Sequence, residues 1–296
     1  MTTIKADITF IGHMCIDEVH PYQGEIRVAP GSAVLCGALA SARVGCRTAV
    51  IARLHQADER LLQPLREAGV ECVLVPAPET SRMEVIHPNS DVDEREMRLK
   101  QNAGFFVPQE IPPIAGCFVH LAGISDREFS LPFMEAMKNR GVSLSADLQN
   151  IVRQVDPQTR VVSFRDSPDK RRIVALMDRI KLDVVEAKLL TGEDNLESAA
   201  RQVASWGCPE VVITRADGVL AWVRGEVFFE RFNNRNVSGR TGRGDTTFAG
   251  YMAWRLEHPA PDALKFAAAL VSIKMETPGP FAGTLADVLA RLHDSR

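Results

Sequence analysis

Short apolar runs alternate with amphipathic stretches along most of this chain. Ile4 to Gly12 is an apolar run closed by glycine and predicts a buried first strand. Ser32 and Gly45 bracket a helix over Ala33 to Val44, as N-cap and C-cap residues do. The small residues Ala33, Gly37, Ala38, Ala40, Ser41 and Ala42 imply that this helix packs closely. Arg47 to Arg53 predicts a second strand, Ala57 to Ala68 a helix, and Glu71 to Val75 a third strand. From residue 116 the alternation is regular. Strands are predicted over Cys117 to Leu121, Val142 to Ala146, the short run after Arg179, and Glu210 to Thr214. Helices are predicted over Glu128 to Asn139, Asp169 to Met177, Ala187 to Leu190 and Asp194 to Trp206. Turns at Asp217-Gly218 and Gly225-Glu226 lead into Val219 to Val223 and Val227 to Phe232. The tail reads as helices over Gly244 to Leu256, Pro261 to Met275 and Thr284 to His293. Such repeated strand–helix units predict one α/β domain, a mostly parallel sheet between two helical layers.

Two segments break the pattern. His20 to Val28 is polar and strand-like. Met83 to Ile86 and Met97 to Leu99 are strand-like around the charge run Asp91 to Glu96, which predicts a hairpin with a solvated tip. Residues 14–29 and 80–100 together predict a small β lid, or a surface for a homodimer.

Composition narrows the class. The chain has 296 residues, 45% hydrophobic and 25% charged, as expected of a soluble globular protein. A net charge of −3 gives no reason to expect nucleic acid or an anionic membrane as partner. No apolar run is long enough to span a bilayer, and the first residues lack the apolar core of a signal peptide. Six scattered cysteines form no C-x-x-C pair, so reduced thiols and a cytoplasmic location are expected.

The chemistry points to Asn236 to Tyr251. Glycines at 239, 242 and 244 break the segment before Phe248, Met252 and Leu256 recur at helical spacing. A glycine loop entering a helix gathers unpaired N–H groups at the positive end of the helix dipole, which makes an anion site. Asp245 stands there either as a simple N-cap or as a carboxylate that takes a proton from a bound hydroxyl. G-x-x-x-x-G-K-[ST], a G-x-G-x-x-G after the first strand, and G-x-S-x-G are all absent. An acid beside an anion hole suits phosphoryl transfer to an alcohol.

Over nearly its whole length the chain resembles the ribokinase-like, PfkB-type carbohydrate kinases. Gly242-Arg243-Gly244-Asp245 is similar to their G-A-G-D, which implies Asp245 as catalytic base and Gly242 to Gly244 as anion hole. Gly31-Ser32 matches their sugar-binding Gly-Gly segment, and Asp17 falls where they hold substrate hydroxyls. Asp183-Val184-Val185-Glu186 matches N-x-x-E, which implies Mg²⁺ held by Glu186 and Asp183 through water. Thr214 to Val219, including Gly218, matches their nucleotide-side stretch, and Ser272 joins that side; ATP is the implied donor. Departures are informative. Gly239 replaces an Asp that helps hold a monovalent cation in some relatives, Arg243 replaces Ala, and Arg215-Ala216 replace a glycine-containing pair. Arg240 and Arg243 read either as phosphate contacts or as exposed loop arginines. Cys36 stands where pentose kinases often carry Asn, which argues against ribose. Asp147 and Gln149 with Arg153 are similar to the myo-inositol kinase-like branch, so a cyclitol or sugar is the expected acceptor. A nucleoside kinase and a non-catalytic sugar- or nucleotide-binding regulator are the alternatives of the same fold.

Overall fold

The computed structural model describes residues 2–90, 94–115 and 118–294. The expected tip at 91–93 and the start of the strand at Cys117 lie outside them. Strands β1 (Ile8–His13), β2 (Cys15–His20) and β3 (Arg27–Gly31) precede the first helix, Ala33–Arg43. Strands β4 (Thr48–Leu54), β5 (Glu71–Pro76), β6 (Ser81–Ile86) and β7 (Glu96–Gln101) follow it. Next come β8 (Phe118–Leu121), β9 (Ser143–Asp147), β10 (Arg153–Val155), β11 (Val162–Phe164) and β12 (Arg179–Asp183). The last are β13 (Glu210–Thr214), β14 (Gly218–Val223) and β15 (Glu226–Arg231).

Nine of these form one sheet, in the order β15-β14-β13-β12-β9-β8-β1-β4-β5. The seven from β13 to β5 are all parallel, and β14 and β15 close one edge antiparallel. Parallel strands alternate their side chains between two covered faces. Ile8, Phe10, Val50 and Ala52 join the core under helices Ala33–Arg43, Arg243–Arg255 and Ala260–Met275. Ile11, Ala49 and Ile51 join the other core, under Leu131–Asn139, Lys170–Leu176 and Leu196–Ser205. This is the expected three-layer fold. The small-residue helix lies so close to the sheet that a Cβ on Gly37 would come within 2.7 Å of Phe10.

The strands β3-β2-β6-β7 form a separate lid sheet, with β6 and β7 antiparallel as a hairpin requires. β2 starts two residues after β1 ends, so the lid grows from the carboxyl edge of the main sheet. Strand order also reverses there: β4 and β5 lie on one side of β1, and β8, β9, β12 and β13 on the other. Such a switch point opens a ligand crevice at the carboxyl ends.

Three local expectations change. Ala57 to Ala68 divides into a 3-10 segment, Gln56–Leu62, and a short helix, Gln63–Glu67, because Pro64 has no N–H to continue the first turn. The helix expected from Glu128 starts at Leu131 behind the Ser130 cap. Glu128 is instead buried as an acceptor for the amides of His13, Ile124 and Ser125. The small hairpin β10-β11 has strands too short to show a period in the sequence.

Ser32 caps its helix by accepting from Leu35 N at 3.1 Å. It does so at φ 131°, ψ 153°, a region that only glycine occupies readily. Removing the hydroxyl loses a cap worth about 1 kcal/mol, and only glycine also relieves the strain. In denaturant titration Ser32→Ala therefore unfolds more easily than wild type, and Ser32→Gly exceeds Ser32→Ala by about 1–2 kcal/mol.

Candidate active site

Asp17, Asp147, Asp183, Glu186 and Thr214 sit at the carboxyl ends of the strands or just beyond them, on the edge that carries the lid. Asp245 reaches the same place from helix Arg243–Arg255. The N-cap of this helix is Gly242, in the left-handed conformation at φ 78° and with no side chain to offer. Asp245 is the third helical residue, so it is not a cap. One of its carboxylate oxygens, Oδ1, is buried with no hydrogen-bond partner. The amides of Gly242, Gly244 and Asp245 have no protein acceptor among the described residues. The first-turn amides and a spare carboxylate oxygen thus stand side by side.

The glycines of this loop are fixed by what presses on them. A Cβ on Gly239 would lie 1.8 Å from the Thr277 carbonyl oxygen. One on Gly242 would lie 2.6 Å from Cys36 Sγ, and one on Gly244 2.9 Å from Lys181 Nζ. Arg240 and Arg243 are half-buried on the same loop.

Asp17, on the lid strand β2, lies against Gly31, where a Cβ would sit 1.9 Å from its Oδ2. Burial raises the pKa of Asp17, and nearby Asp245 adds to this, while Cys15 and Arg153 act against it. Asp17 and Asp245 therefore share one weakly solvated space.

Behind them is an ionic layer. Lys181 Nζ lies 2.8 Å from Asp147 Oδ2 and 3.9 Å from Glu186 Oε2. Burial disfavours the charge on Lys181, but Asp147, Glu186 and Asp245 outweigh it and hold its pKa above the usual lysine value. Burial raises the pKa of Asp147 as well, although Lys181 pulls it down. Asp183 caps helix Val184–Thr191: its Oδ1 accepts from Glu186 N at 2.8 Å, and Glu186 Oε2 accepts from Asp183 N at 2.8 Å. Glu186 Oε1 is buried without a hydrogen-bond partner, 3.8 Å from Arg153. Burial raises the pKa of Glu186, with Lys181 opposing and Asp183 and Asp147 reinforcing.

Several expected site residues are engaged within the protein. Asp147 is 1% exposed and held by Lys181 and by Gln149 N, so it supports the floor of the site. Gln149 is buried and donates to Gly123 O at 2.8 Å. The Ser32 hydroxyl is the helix cap, and Cys36 packs on Gly242 with its thiol pushed up to about 12 by burial. Ser272 donates to Ala268 O and accepts from Asn233 N, so it pins the loop after β15. Gly218 is needed because β15 passes closely, with Glu230 O 2.6 Å from a Cβ position. Thr214 donates to Leu182 O and faces Gly244. Arg153 lies between Glu186 and the Phe164 ring, 5.8 Å from its centroid, with one buried N–H lacking a partner. Sequence reasoning missed Lys181. Its signal was a lysine between Ile180 and Leu182 in a strand covered on both faces. A surface cavity of about 880 Å³ lies at the opposite edge, beside Asp7, Cys46 and Ser143 at the amino ends of strands.

Residues 5–285 match the pfkB family carbohydrate kinase description. The chain belongs to that family. The kinase is 27% identical over 281 residues to a fructokinase from Klebsiella pneumoniae, covering 88% of each chain. A solved structure of a pyrophosphate-dependent kinase in the ribokinase family, in complex with sulfate, is 33% identical with a TM-score of 0.88, covering 96% of this chain and 99% of that one. A structure described as such a kinase with a pyrophosphate analogue and myo-inositol is 31% identical with a TM-score of 0.87, covering 96% and 99%. The kinase is accordingly a phosphotransferase acting on the alcohol group of a sugar or polyol. Among the described residues no helix is long and apolar enough to cross a membrane.

Lys181→Met leaves Asp147 buried and unpaired. The loss of stability is expected to be about 3–5 kcal/mol, and Lys181→Met with Asp147→Leu recovers most of it. Urea titration of both variants reads the difference.

Proposed function

We propose that this kinase moves a phosphoryl group from inorganic pyrophosphate to a hydroxyl of a cyclitol of the myo-inositol type. The observation that carries the reading is the partnerless Asp245 oxygen beside the uncapped first turn of its helix. Asp245 holds the acceptor hydroxyl and takes its proton as the oxygen bonds to phosphorus. The bridging P–O bond of the donor breaks and orthophosphate leaves. The amides of Gly242, Gly244 and Asp245 meet the charge on the transferring group, which is the main electrostatic contribution in such reactions. Asp17 and Gly31 sit on the lid side and position the acceptor's other hydroxyls. Mg²⁺, when bound, neutralises donor charge, and Glu186 and Asp183 are the residues that would hold it through water.

Two observations move the donor from the expected ATP to pyrophosphate. The relatives that share about a third of the sequence are pyrophosphate-dependent. The turn after β13, where a nucleotide was expected, also closes on itself. Arg215 pairs with Asp217, donates its amide to Gly218 O at 2.9 Å, and lies over the Phe229 ring at 5.5 Å. A short donor needs only the phosphate-binding loop. ATP is the second reading, supported by Thr214 at the carboxyl end of β13 beside Gly244. Exposed Tyr22, Ile26 and Val28 support a homodimer through the lid.

Two measurements test the function. With myo-inositol and Mg²⁺, orthophosphate release from pyrophosphate is expected to exceed ADP release from ATP by at least tenfold; the reverse ranking restores ATP. Asp245→Asn is expected to lower kcat by on the order of 10²-fold or more, with acceptor binding kept. Undiminished turnover in that variant removes Asp245 from its role.

A further inference from the structure

Lys274 lies in the last turn of helix Ala260–Met275 and is 1% exposed. Among the described residues no carboxylate lies within ion-pair distance of it. Its ammonium donates to two main-chain carbonyls, those of Gly239 and Thr241. Both belong to the loop that enters the Gly242 cap. A buried ammonium without a carboxylate is expensive, so its position calls for an explanation.

The loop supplies one. In a planar trans peptide the N–H points opposite to the C=O. Turning the Gly239 and Thr241 carbonyls toward Lys274 turns the following amides, those of Arg240 and Gly242, away from it. Gly242 N is among the amides with no protein acceptor. The loop has no room for a charge of its own at its start. A side chain at Gly239 would collide with the Thr277 carbonyl oxygen at 1.8 Å and with the Lys274 carbonyl oxygen at 2.7 Å. Lys274 also stands at the negative end of its own helix dipole, which favours a cation there.

We propose that Lys274 is a tethered monovalent cation: its ammonium gathers the Gly239 and Thr241 carbonyls, and so presents the loop amides to the donor phosphates, in place of a free alkali ion. This deepens the reading under Proposed function and rests on it. Lys274 is a positioning residue, acting through the loop and not on the reacting atoms. Lysine suits the task because its ammonium is a compact point charge with three donors.

The first test needs no variant. Turnover of the wild-type kinase, measured in a tetramethylammonium buffer, is expected to stay within twofold when potassium, sodium or ammonium chloride is added at constant ionic strength. Activation of tenfold or more by potassium overturns the proposal. Lys274→Ala, which removes the ammonium and opens space, is expected to lose at least 30-fold in kcat with acceptor KM within threefold. Millimolar ammonium or potassium is expected to restore at least part of that loss, whereas tetramethylammonium, too large for the space, does not. A merely structural lysine would give a loss that no cation repairs, and that result overturns the proposal. Lys274→Met keeps the length without the charge and serves if Lys274→Ala does not fold. It is expected to bind pyrophosphate at least tenfold more weakly in calorimetric titration, and equal affinity counts against the proposal. If the wild type transfers no phosphoryl group from any donor, the functional reading fails. The titration of pyrophosphate still decides the role of Lys274, because it needs no turnover.

Discussion

The architecture depends on a loop threaded between three elements that leave no room for a side chain at its three glycines. Gly239 meets the carbonyls at the end of helix Ala260–Met275, Gly242 meets Cys36 on the first long helix, and Gly244 meets Lys181 on β12. These contacts come from two helices of one layer and from a central strand, so the loop is placed by its tertiary neighbours. Glycine at 242 is required twice, by the approach of Cys36 Sγ and by φ 78°. The small residues of helix Ala33–Arg43 belong to the same constraint, because they let that helix come near enough to press on the loop.

The site's electrostatics follow from this placement. Asp17, Asp147 and Glu186 come together around Asp245 where water is scarce, and burial disfavours the charge on each of the three. Lys181 and Arg153 stand beneath them and Lys274 beside the loop. The cations are not equivalent. Lys181 is held by carboxylates and completes a buried ionic layer, whereas Lys274 is held by carbonyls and so shapes backbone. Glu186 Oε1 lies 3.8 Å from Arg153, and Asp245 Oδ1 has no hydrogen-bond partner.

Much of this was legible in the chain. The short apolar runs and helical stretches gave the layers, and the glycine-broken segment before Phe248 marked the loop that enters the helix of Asp245. The direction of individual side chains was not legible. Asp147 and Gln149 follow a strand, as site residues do, but the chain turns inward after β9 and both are engaged with Lys181 and Gly123. Ser272 sits on a helix expected near the donor, yet its hydroxyl bonds to its own helix and to Asn233. Lys181 and Lys274 escaped for the opposite reason. A lysine in an apolar run is ordinarily read as reaching for solvent, and only the tertiary neighbours show a buried partner.

The contrast among helix starts bears most directly on mechanism. After Ser32, Ser130, Asp183 and Asn195 a side-chain oxygen accepts from the third amide of the helix, so each start is closed by its own sequence. At Asp183 the closure is complete, since Glu186 reaches back to the cap amide. At Gly242 neither half of that exchange exists. The cap has no side chain, and the acid at the third position, Asp245, points its spare oxygen elsewhere. Asp183 and Asp245 are thus the same residue type at two helix starts, one closing its helix and the other leaving it open. Gly242 offers the first-turn amides no side-chain acceptor. The acid at the third helical position leaves the amides available and sets a carboxylate beside them, which is the arrangement that the proposed phosphoryl transfer needs.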